Sequence, residues 1–422
     1  MDKNLYEGYI NILKEELVPA MGCTEPIAVA YCAALARKTL GCMPERVTVF
    51  ASPNIIKNVK SVVVPNTGGL RGIEAAAAAG IVSGNALAEL QVLAEINEDD
   101  VANISKYLEG TEIKVERSAK DFIFDIEVHT FAENHSAVVE IAGHHTNVVK
   151  ILLDDKELLS ETFEEKDSLL TDRSILNVES IVEFADNVEL CDVEEMIERQ
   201  IDYNTAIAKE GLAGDYGANI GSILLDAYGD NVYNKAKAYA AAGSDARMNG
   251  CELPVVINSG SGNQGMTTSL PVIVYAEDKG ATKEELYRAL VLANLVTIHL
   301  KTGVGRLSAY CGATSAGCGA GAGITYLYGG KYNEVAHTIV NSIAIASGMI
   351  CDGAKASCAA KIAAAVEAGL LGMQMQKNGS EFFGGDGIVE KGVENTIRNI
   401  GKIASVGMKE TDATIIDIMT GG

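Results

Sequence analysis

Nine cysteines stand in this 422-residue chain, and four of them fall in two short, glycine-rich stretches. Tyr310-Cys311-Gly312 leads to Gly317-Cys318-Gly319, and Cys351-Asp352-Gly353 leads to Ser357-Cys358. Glycine lets main chain approach an inorganic cluster and donate N–H groups to its sulfides. Thiolates placed in this way suit metal ligation, although no pair has the C-x-x-C spacing of a zinc ribbon or a ferredoxin. Four ligands would close a cubane and suit electron transfer, whereas three would leave one iron open as a Lewis acid. Spacing leaves both readings open, together with the plainer one that these are small buried hydrophobes. Cys32, Cys42, Cys191 and Cys251 have no such setting and are expected to be structural.

Cys23 has a different context, Met21-Gly22-Cys23-Thr24-Glu25-Pro26, just before the expected start of a helix. Helix N-termini stabilise anions, so its thiol is expected to ionise easily and to act as a base or a nucleophile. The alternative is a buried cysteine in a cap loop. Asn258 to Gly265 is the densest run of Ser, Gly, Asn and Gln in the chain. Such runs form nests of N–H donors for a carboxylate or phosphate, which makes Ser259, Ser261, Gly262, Asn263 and Gln264 candidate substrate contacts. Asn54, after Ser52-Pro53, and Asn66-Thr67, before Gly68-Gly69, form a second polar set behind a strand, placed to line a pocket mouth. Lys301 and Arg306 bracket Gly303-Val304-Gly305 ahead of Cys311 and could neutralise a carboxylate or a cluster. His299 lies in an apolar run and His144-His145 in a turn, and neither is given a role.

The elements that must position these residues are predicted from periodicity. Helices are expected over Asn4–Leu17, Pro26–Leu40 with Thr24 or Glu25 as cap, Gly72–Leu87, and Glu98–Leu108 capped by Asn97. Strands are expected over Arg46–Ser52, Glu112–Arg117, Asp121–Thr130, Ser136–Ala142 and Thr146–Leu153, where apolar and polar residues alternate. Leu159–Leu176 reads as a linker or surface loop, and from about Val178 the pattern is helical. The expected fold class is α+β, mainly α. Residues 1–90 and 181–422 would build a helical catalytic body, the latter carrying the late cysteines, with an α+β segment over 91–180 inserted in the N-terminal half.

Composition narrows the function. The formal net charge of −23 disfavours nucleic acid and anionic lipid. No secretory signal is visible, and the windows Ile73–Glu89 and Val340–Cys351 are too short or interrupted to span a bilayer. A cytoplasmic protein is expected, in which nine cysteines are not disulfide staples. The expected partner is a small molecule, and self-association into a homo-oligomer stays open.

Taken together, Gly22-Cys23-Thr24-Glu25-Pro26, Ser52-Pro53-Asn54, Asn258 to Gly265, Gly305-Arg306-Leu307-Ser308-Ala309-Tyr310-Cys311-Gly312, Cys351-Asp352-Gly353-Ala354-Lys355, Gly385 to Val389 and Thr396-Ile397-Arg398 resemble the L-cysteine desulfidase family. That family is related to the α-chain domain of iron–sulfur L-serine dehydratases. The resemblance runs along essentially the whole chain. It implies a 4Fe-4S cluster on Cys311, Cys351 and Cys358, with Cys318 left in the core and Cys23 as candidate base. The short gap between Cys351 and Cys358 favours the desulfidase branch over the dehydratases. The implied reaction is α,β-elimination of L-cysteine at an open iron, giving pyruvate, ammonia and sulfide, with the polar loops holding the amino acid. Three rival readings remain. One is a serine dehydratase with the same machinery. Another is a pyridoxal-phosphate deaminase, in which Ser261–Gly265 would be a phosphate loop and Lys57 a Schiff-base candidate in surroundings that do not match. The last is a non-enzymatic metal-sensing or ligand-binding protein.

Overall fold

The computed structural model describes residues 1–120, 122–161, 171–305 and 308–420. Its eight strands, among the described residues, are β1 (Pro19–Met21), β2 (Arg46–Ala51), β3 (Glu112–Arg117), β4 (Asp125–Ala132), β5 (His135–Ala142), β6 (Val148–Leu153), β7 (Lys156–Ser160) and β8 (Pro254–Val256). The architecture is α+β and mainly helical.

Six strands form one sheet in the order β3-β2-β4-β5-β6-β7. β2 and β3 run parallel, and the remaining neighbours are antiparallel. Alternation does what the sequence implies: Ile126, Val128 and Thr130 of β4 and Val139 and Ile141 of β5 turn to a buried face. β7 occupies the start of the stretch expected to be a loop, and residues 162–170 of that stretch lie outside the described residues.

Helices Thr24–Leu40 and Gly72–Ser83 cover the buried face of this sheet and share its hydrophobic core. They touch main chain to main chain, since a Cβ on Gly80 would stand 2.0 Å from the Ala30 carbonyl oxygen. The second of them stops at Ser83, short of the expected Leu87, where Gly84 turns extended. The N-terminal ninety residues are therefore shared between two cores. Tyr9, Ile12 and Leu13 of helix Lys3–Glu16 pack with the long C-terminal helices, while Ile27 to Ile81 pack with the sheet. Helix Glu98–Gly110 carries the expected Asn97 cap, here as a full capping box with Asp100.

The larger core is built by helices Glu194–Ala213, Val232–Met248, Gly262–Lys279, Lys283–Val304, Gly312–Leu327, Tyr332–Ala346 and Ser357–Lys377. Small residues let these helices close up. A Cβ on Gly317 would meet the Ala365 carbonyl oxygen at 2.2 Å, and one on Gly369 would meet that of Gly317 at 2.1 Å. Helix Ser357–Lys377 has the length and apolarity of a membrane span, yet Ala359, Ile362, Val366 and Leu370 are buried inside the protein.

Two short pairings bridge the cores. β1 pairs antiparallel with β8, which brings the chain entering Cys23 beside the chain entering the Asn258 loop. The last helix, Lys409–Thr420, lies against helix Pro53–Val59 through a 2.6 Å ion pair between Asp412 and buried Lys57, and through a Lys60 bond to the Met419 carbonyl.

Candidate active site

One cavity of about 140 Å³ collects Cys23, Cys311, Cys351 and Cys358 from four separate stretches of chain. Main-chain bonds hold two of those stretches together: the Cys311 N–H donates to the Met349 carbonyl (3.0 Å), and the Cys351 N–H to that of Ala309 (2.7 Å). Cys311 and Cys351 consequently share a thiol hydrogen bond. That bond, then burial, pushes Cys311 up. The same bond, followed by the charges of Lys57 and Lys301, outweighs burial and holds Cys351 well below the usual thiol range. Cys358 lies in the first turn of helix Ser357–Lys377, and its main chain bonds the Lys355 carbonyl at 2.9 Å. Gly353 allows the intervening loop to press on helix Pro53–Val59. Its φ is +91°, and a Cβ there would lie 2.0 Å from the Lys57 carbonyl oxygen.

Four helices point their N-termini at the cavity. Cys23 is the N-cap of Thr24–Leu40, Ser261 of Gly262–Lys279 and Cys311 of Gly312–Leu327, while Cys358 opens the fourth. Lys57, Arg247, Lys301 and Lys361 also line it, against a single carboxylate among the described residues, Glu25. In a chain of net charge −23 this is a locally positive chamber, suited to thiolates, sulfides and carboxylates.

Cys23 packs with Val62 and Met248 in a small apolar cluster that Ala354 and Cys358 also touch. It therefore lines the same cavity as the late cysteines, close to Cys358. Its thiol is not lowered by its helix N-terminus. Burial first, and then the Glu25 charge, push it well above the ordinary range, so its proton is donated to Glu25 Oε2 at 3.2 Å. The other Glu25 oxygen accepts from Asn58 Nδ2 at 3.4 Å.

Of the expected substrate contacts, Ser259, Ser261, Asn263 and Gln264 line the cavity. The run is less of a loop than its composition suggests. Ser259 and Gly260 take left-handed φ values of +50° and +76°, and Gly262 onward is helix. Gly262 sits behind the wall, beneath Arg247. Asn54, Asn66 and Thr67 are not brought to the cavity. Thr67 donates to the Val64 carbonyl (2.7 Å) and holds its own turn, whereas Asn66 donates to the Leu93 carbonyl (2.9 Å) and ties that turn to a distant segment. Arg306 lies outside the described residues. Cys318 is buried in the helical core, where desolvation pushes its thiol up to about 12. His299 is paired with Glu394 at 2.8 Å, and all nine cysteines are free.

Sequence reasoning missed Arg247, Lys361 and the partnership of Glu25 with Cys23. It met Lys57 only as a cofactor candidate. Glu25 was already inside a quoted motif and carried a signal, and Lys57 lies three residues after the quoted Ser52-Pro53-Asn54, whereas Arg247 reaches the site from a mid-sequence helix with no motif around it.

Residues 87–417 match the family model of the serine dehydratase alpha chain, and the chain belongs to that family. The match covers the Ser259–Gln264 run and the three late cysteines, and it begins after Cys23, Glu25 and Lys57. Similar chains run the full length. A UPF0597 protein of Desulfitobacterium hafniense is 58% identical, covering 98% of this chain and 96% of its own. One from Lachnoclostridium phytofermentans is 50% identical over 98% and 100%. One from Bacteroides thetaiotaomicron is 40% identical over 97% of each.

Proposed function

We propose that this protein is a carbon–sulfur lyase that eliminates sulfide from L-cysteine, with L-serine as the second substrate, at a 4Fe-4S cluster held by Cys311, Cys351 and Cys358. The observation that carries the reading is the convergence of those three thiols on one cation-lined cavity that Cys23 also lines. Three cysteine thiols on one cavity are the donor set a cubane would take. No three His, Cys, Asp or Glu side chains among the described residues could hold one metal ion. When bound, the cluster supplies an iron without a protein ligand, a Lewis acid for the leaving sulfur or oxygen.

The protein's own residues supply the remainder. Ser259, Ser261, Asn263 and Gln264 present hydrogen-bonding groups to the amino acid and fix the direction of its α-hydrogen. Cys23 passes its proton to Glu25 as it accepts the α-proton, and the electron pair of the broken C–H bond expels the β-substituent. The resulting aminoacrylate tautomerises and is hydrolysed to pyruvate and ammonia. Cys23→Ala is expected to lower kcat by about 100- to 10,000-fold, the usual contribution of a positioned base. Iron and acid-labile sulfide should stay at wild-type levels, because Cys23 is not among the ligands; full turnover in this variant would remove it from the mechanism.

An open iron is oxygen-sensitive, and nine free thiols suit a reducing, cytoplasmic setting. The deciding experiment is an anaerobic assay of the reconstituted protein with L-cysteine and L-serine, following pyruvate and sulfide. The reading expects a higher kcat/KM for L-cysteine, since a thiolate is the softer ligand. Greater efficiency with L-serine would make the protein a dehydratase. A full cluster with no pyruvate from either would end the lyase reading and favour a sensing or binding role.

A further inference from the structure

Arg247 ends helix Val232–Met248 and reaches the cavity with 7% of its surface exposed. The other cations there have partners of their own. Lys57 is paired with Asp412, Lys361 with Asp352, and Lys301 donates to the Gly305 carbonyl. Arg247 has one long bond, from Nη1 to Asn263 Oδ1 at 3.4 Å, and no ion pair among the described residues. Its Nε is buried with no partner. A guanidinium cannot shed its proton, so a buried one without an anion is costly until an anion arrives.

The surroundings are shaped for this side chain. A Cβ on residue 262 would lie 2.4 Å from Arg247 Nε, so only glycine there lets the guanidinium cross to the cavity. Gln264 lies opposite in kind, because its Oε1 is a buried acceptor without a donor. Its amide end lies against Gly312, next to Cys311, where an added Cβ would meet it at 2.7–2.8 Å. One wall thus has an unmet donor, Arg247 Nε, and the adjoining wall an unmet acceptor.

We propose that Arg247 anchors the substrate's α-carboxylate, and that Gln264 Oε1 accepts from its α-ammonium. The proposal rests on the lyase reading and specifies how the cavity distinguishes an amino acid from other thiols. Planar, forked donors match a carboxylate two bonds at a time, which fixes the rest of the molecule in register with the thiol-lined end.

The test uses cluster-loaded protein under anaerobic conditions, with Arg247→Met and Gly262→Ala. Two competitive probes separate the halves of the amino acid: 3-mercaptopropionate has the carboxylate without the amine, and cysteamine has the amine without the carboxylate. In Arg247→Met, kcat/KM for L-cysteine should fall about 100-fold, mostly in KM, the scale of losing a charge-assisted bidentate pair. Inhibition by 3-mercaptopropionate should weaken by a similar factor, with cysteamine unchanged, and Gly262→Ala should shift both in the same direction. The cluster-free Arg247→Met protein should melt at or above the wild-type temperature, because a buried unpaired charge has gone. A lower melting temperature with both probes weakened alike would make Arg247 structural and overturn the proposal. So would unchanged affinity for 3-mercaptopropionate. Binding of 3-mercaptopropionate that depends on Arg247, in a wild type that eliminates nothing, would keep the anchor and sink the lyase reading instead.

Discussion

Replacing Cys311, Cys351 or Cys358 by serine is expected to lower turnover by at least about 1,000-fold, since the Lewis acid is asked for several kcal/mol of the barrier. Iron and acid-labile sulfide should fall together with activity in all three variants. Loss of any single thiolate leaves an iron without its protein ligand, and the Cys311–Cys351 hydrogen bond means that removing one also disturbs the other. Cys318→Ser is the informative contrast. It introduces a hydroxyl into a fully apolar setting and should cost stability, yet the variant should retain iron, because Cys318 faces the core. Anaerobic iron and sulfide analysis beside the pyruvate assay reads all four. Wild-type iron content in each of the three site variants would show that the cysteines do not hold a cluster.

The second large effect is expected from a residue with no side chain. Gly369→Ala places a methyl 2.1 Å from the Gly317 carbonyl oxygen, and the obstructing atom is main chain, unable to rotate away. Overpacking of this kind costs about 1–3 kcal/mol. The penalty does not stay local, because the two helices forced apart are Gly312–Leu327, capped by Cys311, and Ser357–Lys377, whose first turn carries Cys358. Gly369→Ala should therefore melt earlier and also load less iron. Gly110→Ala, where an added Cβ meets nothing within 4 Å, should do neither. A melting temperature and iron content equal to wild type in Gly369→Ala would show that the helix contact does not set the spacing of the thiols.

Parts of this architecture were legible in the sequence because their physics is local. The strands over Glu112–Arg117, Asp125–Ala132 and His135–Ala142 announce themselves by alternation, and Asn97 by its distance to Asp100. Helix Thr24–Leu40 was readable as a helix. Its allegiance to the sheet was not, because alanine on nearly every side leaves it without an apolar stripe to show which core it joins. The late cysteines stood out by their glycine neighbours, and the resemblance to the desulfidases separated Cys318 from them. Asn66 and Thr67 misled because polar residues at turns bond main-chain carbonyls as readily as a ligand. Arg247 was silent, since what brings it to the cavity is tertiary packing between segments far apart in sequence.

The contrast of sign between the acidic chain and its positive chamber has a kinetic consequence. A zwitterion has no net charge, so the outer field neither attracts nor repels it at long range, and charges separate for it only within the chamber. At physiological salt, screening sets in over about 8 Å. The association rate of L-cysteine should accordingly be nearly flat with ionic strength, while an anionic inhibitor such as 3-mercaptopropionate should arrive faster as salt is added. Stopped-flow measurements from low to physiological salt would read both, and a steep slope for the amino acid would place its recognition outside the chamber.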